Sequence, residues 1–249
     1  MARAGRSSPR RTRRGSTSAL LNSVSCTAAN ACTTVGSYVD RSGNEVTLAE
    51  RWNGKTWKIQ PMPNPTGSTR ASLSAISWTA KACIAVGSSD ASGTLAERWN
   101  GKTWTIQSTP NPTGGLPVLD GVSCTAAYAC TAVGGDDSGV LAKRWNGTAW
   151  TIQSTPNKGT GSRLRGVSCA AADACTAVGG YTSKTLAGRM LAYYWNGTDW
   201  TIQSTPKPRG SYGAALVGVS CTAANVCTAA GNFEKTRASG GQPLAERHT

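Results

Sequence analysis

The chain has one histidine, His248, among its 249 residues. Oxidation at a copper centre with several histidine ligands is thereby excluded. Phenylalanine also occurs once. No apolar run approaches the roughly 20 residues of a membrane-spanning helix. Apolar residues never recur at helical spacing, which excludes a helical solenoid. Acidic residues are scarce, 12 against 26 lysines and arginines, for a net charge of +14. Glycoside hydrolysis needs two positioned carboxylates, and the pattern singles out no such pair.

What the chain has in abundance is repetition. The second cysteine of a recurring phrase falls at Cys32, Cys83, Cys130, Cys175 and Cys227, and the first tryptophan of a Trp-Asn-Gly phrase at Trp52, Trp99, Trp145 and Trp195. A period of 45–52 residues points to a propeller or solenoid array. Each repeat carries four short apolar or β-branched runs separated by turn signals. In the third they are Leu119–Cys124, Cys130–Gly134, Val140–Trp145 and Trp150–Ser154. Four antiparallel strands per repeat describe a blade, so the fold expected is an all-β propeller of about five four-stranded blades. The repeats run approximately 19–65, 66–113, 114–158, 159–209 and 210–249, after a basic segment 1–18.

Asn-Gly between apolar runs is a strong hairpin signal, because both residues tolerate positive φ. A two-residue turn at Asn53-Gly54 sets Trp52 opposite Lys55 and Glu50 opposite Trp57. Leu48, Trp52, Trp57 and Ile59 then share one face, with Ala49, Arg51, Thr56 and Lys58 on the other. Such bulky faces are expected to wedge one blade against the next, each indole burying roughly 150–250 Å².

Eight of the nine cysteines form pairs at one spacing: Cys26 with Cys32, Cys124 with Cys130, Cys169 with Cys175, Cys221 with Cys227. The five residues between them make a hairpin loop, and opposed antiparallel residues lie within disulfide reach. In repeat two Trp78 replaces the first cysteine and Cys83 stands alone. A shared metal site tolerates such a loss poorly, and a set of staples tolerates it well. Disulfides are therefore the reading adopted over buried thiols or a metal. A seven-residue ring contributes about 2.4 kcal/mol in the chain-entropy model. Disulfides persist in oxidising compartments, which places the protein at the cell surface or outside the cell.

The run Cys130-Thr-Ala-Val-Gly-Gly135, Leu141 to Arg144, Trp145-Asn-Gly-Thr-Ala-Trp150 and Pro156 resembles the kelch repeat. The Gly-x-x-Trp ending is similar to the Asp-box of sialidase-type propellers. Ser-Cys-x5-Cys with Trp-Asn-Gly-Thr-x-Trp resembles a repeat of large exported actinobacterial proteins, mostly without assigned activity. These resemblances imply a propeller and no particular reaction. The sequence departs from kelch in its cysteine pairs and in the lone glycines Gly36, Gly87 and Gly231.

The basic head holds Arg3, Arg6, Arg10, Arg11, Arg13 and Arg14 without an acid, the composition of a disordered segment. No apolar stretch of about 7–15 residues follows it, as an export signal requires. At the other end, Leu244-Ala-Glu-Arg-His248 begins a fifth hairpin and the chain stops where its tryptophan is due. The expectation is 19 strands, the last blade lacking one, in a fragment of a larger propeller rather than a closed five-bladed ring.

Chain direction puts the cysteine loops and Asn-Gly turns at one end of the blades, and the other loops and the linkers at the opposite end. The second set varies, and variation on one face of an array marks a binding face. Candidate contacts there are Tyr38, Asp40, Arg41, Asp90, Asp136, Asp137, Tyr181, Lys184 and Arg237, with a minor calcium reading for Asp136-Asp137. Arg51, Arg98 and Arg144 recur, as do Glu50 and Glu97, with Lys143 and Tyr194 read at the matching positions. A catalytic residue is used once, so recurrence argues for packing. The function expected is a non-enzymatic exported binding or scaffold module for a polysaccharide, a cell-surface component or a protein. It has no cofactor, no metal and no membrane span. The alternatives are an accessory propeller of a larger secreted hydrolase and an anionic-polymer binder acting through the basic head, nucleic acid being the least favoured partner.

Overall fold

A computed structural model describes residues 18–248 apart from 81, 114, 159, 160, 186, 238 and 239. The basic head therefore lies outside the described residues, except Ser18, which opens the first strand. The first blade is β1 (Ser18–Ala28), β2 (Ala31–Val39), β3 (Glu45–Trp52) and β4 (Trp57–Gln60). The second is β5 (Ala71–Trp78), β6 (Cys83–Ser89), β7 (Gly93–Trp99) and β8 (Trp104–Gln107). The third is β9 (Val118–Ala126), β10 (Ala129–Asp136), β11 (Gly139–Trp145) and β12 (Trp150–Gln153). The fourth is β13 (Arg163–Ala171), β14 (Ala174–Thr182), β15 (Gly188–Trp195) and β16 (Trp200–Gln203). The fifth has β17 (Gly213–Ala223), β18 (Val226–Glu234) and β19 (Gln242–His248). Each sheet is a meander in chain order, and the first strands of successive sheets lie side by side. Four apolar clusters join consecutive blades. None joins the first blade to the fifth among the described residues, so the stack is an open arc of propeller blades.

The hairpin register differs from the two-residue turn. Trp52 pairs with Trp57 and Glu50 with Ile59, leaving a four-residue loop. The Asn53 side chain explains it: Oδ1 accepts the backbone N–H groups of Lys55 and Thr56, and Gly54 takes φ +92°. The slip is two residues, so Leu48, Trp52, Trp57 and Ile59 keep their common face. The cysteine loop also closes earlier than expected. Ala28 pairs with Ala31 beside a bulge, leaving two turn residues instead of five. The cysteines themselves are opposed and bridged, with Cα atoms 3.9–4.0 Å apart in all four pairs. Trp78 stands opposite Cys83, which stays a buried free thiol.

The indole pairs of the second, third and fourth blades are buried against the blade before. Trp99 and Trp104 pack with Val35 and Ala49, Trp145 and Trp150 with Val86 and Ala96, and Trp195 and Trp200 with Val133 and Ala142. Within each pair the rings tilt at 5.6–5.8 Å between centroids. Trp52 and Trp57 have no blade packed against them among the described residues and are half-exposed.

Two further devices fix the stack. In the first four repeats the serine before the first-cysteine position, which Trp78 occupies in the second, reaches the next blade: Ser25, Ser77, Ser123 and Ser168 accept the N–H of Trp78, Cys124, Cys169 and Cys221. That satisfies an amide on the otherwise unpaired edge of the next first strand. A β-bulge in each first strand also pushes a carbonyl over the second. A Cβ at Gly36, Gly87, Gly134, Gly179 or Gly231 would lie within 2.0 Å of that oxygen. One glycine per repeat is therefore compulsory, and the second glycine of a kelch pair is not.

Thiol titration should find no reactive thiol in the native protein, one per chain after denaturation and nine after reduction. More than one before reduction would break the disulfide assignment. Trp150→Ala should cost about 3–5 kcal/mol in chemical denaturation, as large aromatic deletions in a core do, and Trp57→Ala less than half of that.

Candidate functional site

The two ends of the blades are distinct. At one end the Asn-Gly loops rest on the cysteine turns, Gly54 on Asn30, Gly147 on Tyr128 and Gly197 on Asp173. At the other end the linkers hold the remaining loops. Asn111 donates to the Ser92 carbonyl at 2.6 Å, and Asn157 to that of Ser138 at 2.9 Å.

The acids foreseen at this second end build their own loops. Asp40 Oδ1 accepts the N–H groups of Ser42 and Asn44. Asp136 Oδ1 accepts those of Ser138 and Gly139 and the Ser138 hydroxyl. Asp90 accepts the hydroxyls of Ser68 and Thr69, each at 2.6 Å. These hydroxyls, Ser68 first, hold its exposed carboxyl well below the usual range. Asp137, Arg41, Lys184 and Arg237 are exposed around them. Tyr38 is half-buried opposite Val46. Tyr181 is half-buried opposite Arg189 and lines a small hollow with Lys207. No three His, Cys, Asp or Glu side chains stand together as metal ligands among the described residues.

A cavity of about 250 Å³ opens among the loops and strand ends of the first three blades. Glu45, Arg70, Ser88 and Asp90 supply acceptors and donors, and Leu116, 76 % exposed, gives an apolar rim. Of these only Asp90 was foreseen. Glu45 and Arg70 are brought together by an isolated β-bridge between the start of β3 and the linker that follows β4, which no local pattern announces.

A second polar series lies inside the interfaces. The strand register aligns Glu50, Glu97, Lys143 and Tyr193, each opposite an isoleucine of the outer strand. Tyr193, rather than Tyr194, therefore holds the fourth position. All four are buried, and the last three face the preceding blade. Lys143 Nζ donates to Thr94 Oγ1 at 2.6 Å, and Tyr193 donates to the Pro156 carbonyl at 2.5 Å. Glu97 makes no well-formed hydrogen bond through either oxygen, with the Thr47 hydroxyl its polar neighbour. Burial pushes Glu97 up to about 8 and Lys143 down to about 8. The recurring arginines are packing residues too. Arg51 lies over Trp78 and Trp99 at 5.5 and 5.9 Å, and Arg144 over Trp195 at 4.9 Å.

The two buried groups act on stability in opposite pH windows. Between its ordinary value near 4.5 and about 8, folded Glu97 holds a proton that the unfolded chain has lost, so stability falls as pH rises. Between about 8 and the ordinary 10.5, folded Lys143 has lost a proton that the unfolded chain keeps, so stability rises. Urea denaturation with the disulfides intact should show stability falling to a minimum near pH 8, with the recovery above about pH 9 offset by the Cys83 thiol, which burial pushes up from its ordinary 9.0. Glu97→Gln should flatten the acidic limb and Lys143→Met the alkaline one. Slopes unchanged in both variants would remove this account.

No protein-family model and no curated protein matches the chain. Solved structures do. The chain is similar to a protein of unknown function from Dyadobacter fermentans, at 10 % identity and TM-score 0.60 over 90 % of this chain and 74 % of that one. It is similar to the fucose-recognising lectin of Aleuria aurantia, a six-bladed β-propeller, at 12 % identity and TM-score 0.58 over 91 % and 74 %. It is also similar to YCF48 bound to a D1 peptide, at 12 % identity and TM-score 0.53 over 91 % and 67 %. At these identities the likeness establishes the β-propeller fold.

Proposed function

We propose that this chain is a non-enzymatic binding module of an oxidising, extracellular compartment, and that it presents its loop end to a polysaccharide or a protein partner. The observation that carries the reading is the division of labour among its polar side chains. The recurring charges are enclosed between blades. The side chains that differ from blade to blade lie in the loops at one end, where the first three blades also form a hollow that mixes acid, guanidinium, hydroxyls and an exposed leucine. Such a mixture suits ligands rich in hydroxyls or amides, which need paired donors and acceptors beside an apolar surface. Two of the similar propellers are described with a peptide and with fucose, which supports binding as the common use of this scaffold. Four disulfides in five blades support the compartment.

The oxidised chain applied to a glycan array and to insoluble cell-wall polysaccharides should retain a defined subset. Arg70→Ala, Lys184→Ala and Arg237→Ala together should weaken retention about tenfold or more, the loss expected when contact residues are truncated. Lys102→Ala at the opposite end should leave it unchanged. Release of cleaved sugar, or retention indifferent to the loop-end changes, would overturn the proposal.

A further inference from the structure

The loop end of the blades is divided by charge. In the first three blades its loops, strand ends and linkers carry Asp40, Glu45, Asp90, Asp136 and Asp137 against Arg41, Arg70 and Lys158. In the fourth and fifth, residues 181–189, 204–213 and 233–242 carry Lys184, Arg189, Lys207, Arg209, Lys235 and Arg237 against Glu234 alone. All of these cations except Arg189 are exposed, and no exposed one makes an ion pair among the described residues. Short contacts bring the three segments together. Arg189 Nη1 donates to the Tyr212 carbonyl at 3.0 Å, and the Tyr212 N–H donates to the Glu234 carbonyl at 2.7 Å. Like charges gathered in this way repel one another, a cost that a bound polyanion removes.

One linker position shows that the cations are not there to pack the fold. The linkers after β4, β8 and β12 place Asn64, Asn111 and Asn157 at the same distance beyond the glutamine that ends the strand. Each asparagine clamps the loop beside it. Asn64 Oδ1 accepts the Thr47 N–H at 3.0 Å, and Asn111 and Asn157 donate to the Ser92 and Ser138 carbonyls. After β16 the matching residue is Lys207, which is exposed and makes no such bond among the described residues. Arg189 ties loop to linker instead. Beside that tie lies the hollow of about 70 Å³ lined by Tyr181, Arg189, Thr205 and Lys207. It falls far short of the roughly 300 Å³ of a pocket that encloses a small molecule. It has room for one anionic group, while the rest of the ligand lies over the exposed cations.

We propose that the loop end of the fourth and fifth blades binds an acidic polysaccharide, one with carboxylate or sulfate groups repeated along its chain. One such group enters the hollow against Lys207 and Arg189, and its neighbours meet Lys184, Arg209, Lys235 and Arg237. The Ser183 and Thr185 hydroxyls, 3.0 Å apart beside Lys184, suit the hydroxyls of the sugar. A single-stranded nucleic acid fits less well. Tyr181, Tyr212 and Phe233 are half-buried, so no exposed ring among these segments gives a base its stacking face. The inference rests on the loop end being a binding face and names the class of ligand bound there.

The test is retention of the full oxidised chain on immobilised polygalacturonate, dextran sulfate and neutral dextran. The six arginines of residues 3–14 are replaced by glutamine throughout, so that the head adds no side-chain charge. At least one acidic polymer should retain the chain at about 50 mM salt and release it as salt rises, and dextran should not retain it. Which polymer is held tells carboxylate from sulfate. Lys184→Gln, Lys207→Gln and Arg209→Gln together should weaken retention about tenfold or more. They should lower the slope of log affinity against log salt by about 2–3, close to one per lost contact. Lys55→Gln with Lys102→Gln, at the opposite end, should do neither, and both variants should keep the native disulfide count. Indifference to the loop-end changes would overturn the proposal, as would preference for single-stranded DNA or phosphatidylglycerol vesicles over both acidic polymers. A dimer in sedimentation that salt and the loop-end changes split, and neither polymer displaces, would assign the cations to the acidic loops of a second copy and overturn it equally. Retention on neutral glycans alone would sink this inference and leave the binding module standing, whereas retention on no glycan and no protein would remove both.

Discussion

Everything in this fold depends on the indole pair of one sheet lying against the alanine and valine of the sheet before it. The pairing Trp145–Trp150 places two large side chains on one face, and Ala96 with Val86 leaves room for them on the neighbouring blade. A larger residue at the alanine positions would hold the sheets apart. A smaller one at the tryptophan positions would leave a void that the stiff backbone ladder closes poorly. The serine–amide ties and the compulsory glycine work at the inner rim, where first strands meet and no large side chain fits.

Much of this was legible in the sequence because it is local or periodic. Spacing gave the strand number, the cysteine partners and the common face of Leu48, Trp52, Trp57 and Ile59. The face survived even though the hairpin register did not, since a two-residue slip preserves parity. The slip itself came from a side-chain cap: Asn53 receiving two backbone amides favours a four-residue loop over the tighter turn that Asn-Gly also permits.

The rest depends on contacts about one repeat apart, which periodicity marks as important without saying why. Ser77 recurs in its phrase because Cys124 of the next blade needs an acceptor. Glu97 and Lys143 occupy one structural position with opposite charge although each meets the equivalent threonine of the preceding blade, Thr47 and Thr94, and no contact in the structure explains the change of sign. The loop acids were read as ligand contacts from their variability. Variable they are, yet Oδ1 of Asp40, Oδ1 of Asp136 and both oxygens of Asp90 accept hydrogen bonds that shape the loops.

An arc whose apolar clusters, among the described residues, join only consecutive blades behaves as a one-dimensional chain of coupled units. Its terminal units have one supporting contact each, and interior units have two. Heat or denaturant should therefore peel the molecule from its extremities inward, with the third blade, flanked on both sides by fully wedged contacts, as the last region to melt and the natural nucleus for reassembly.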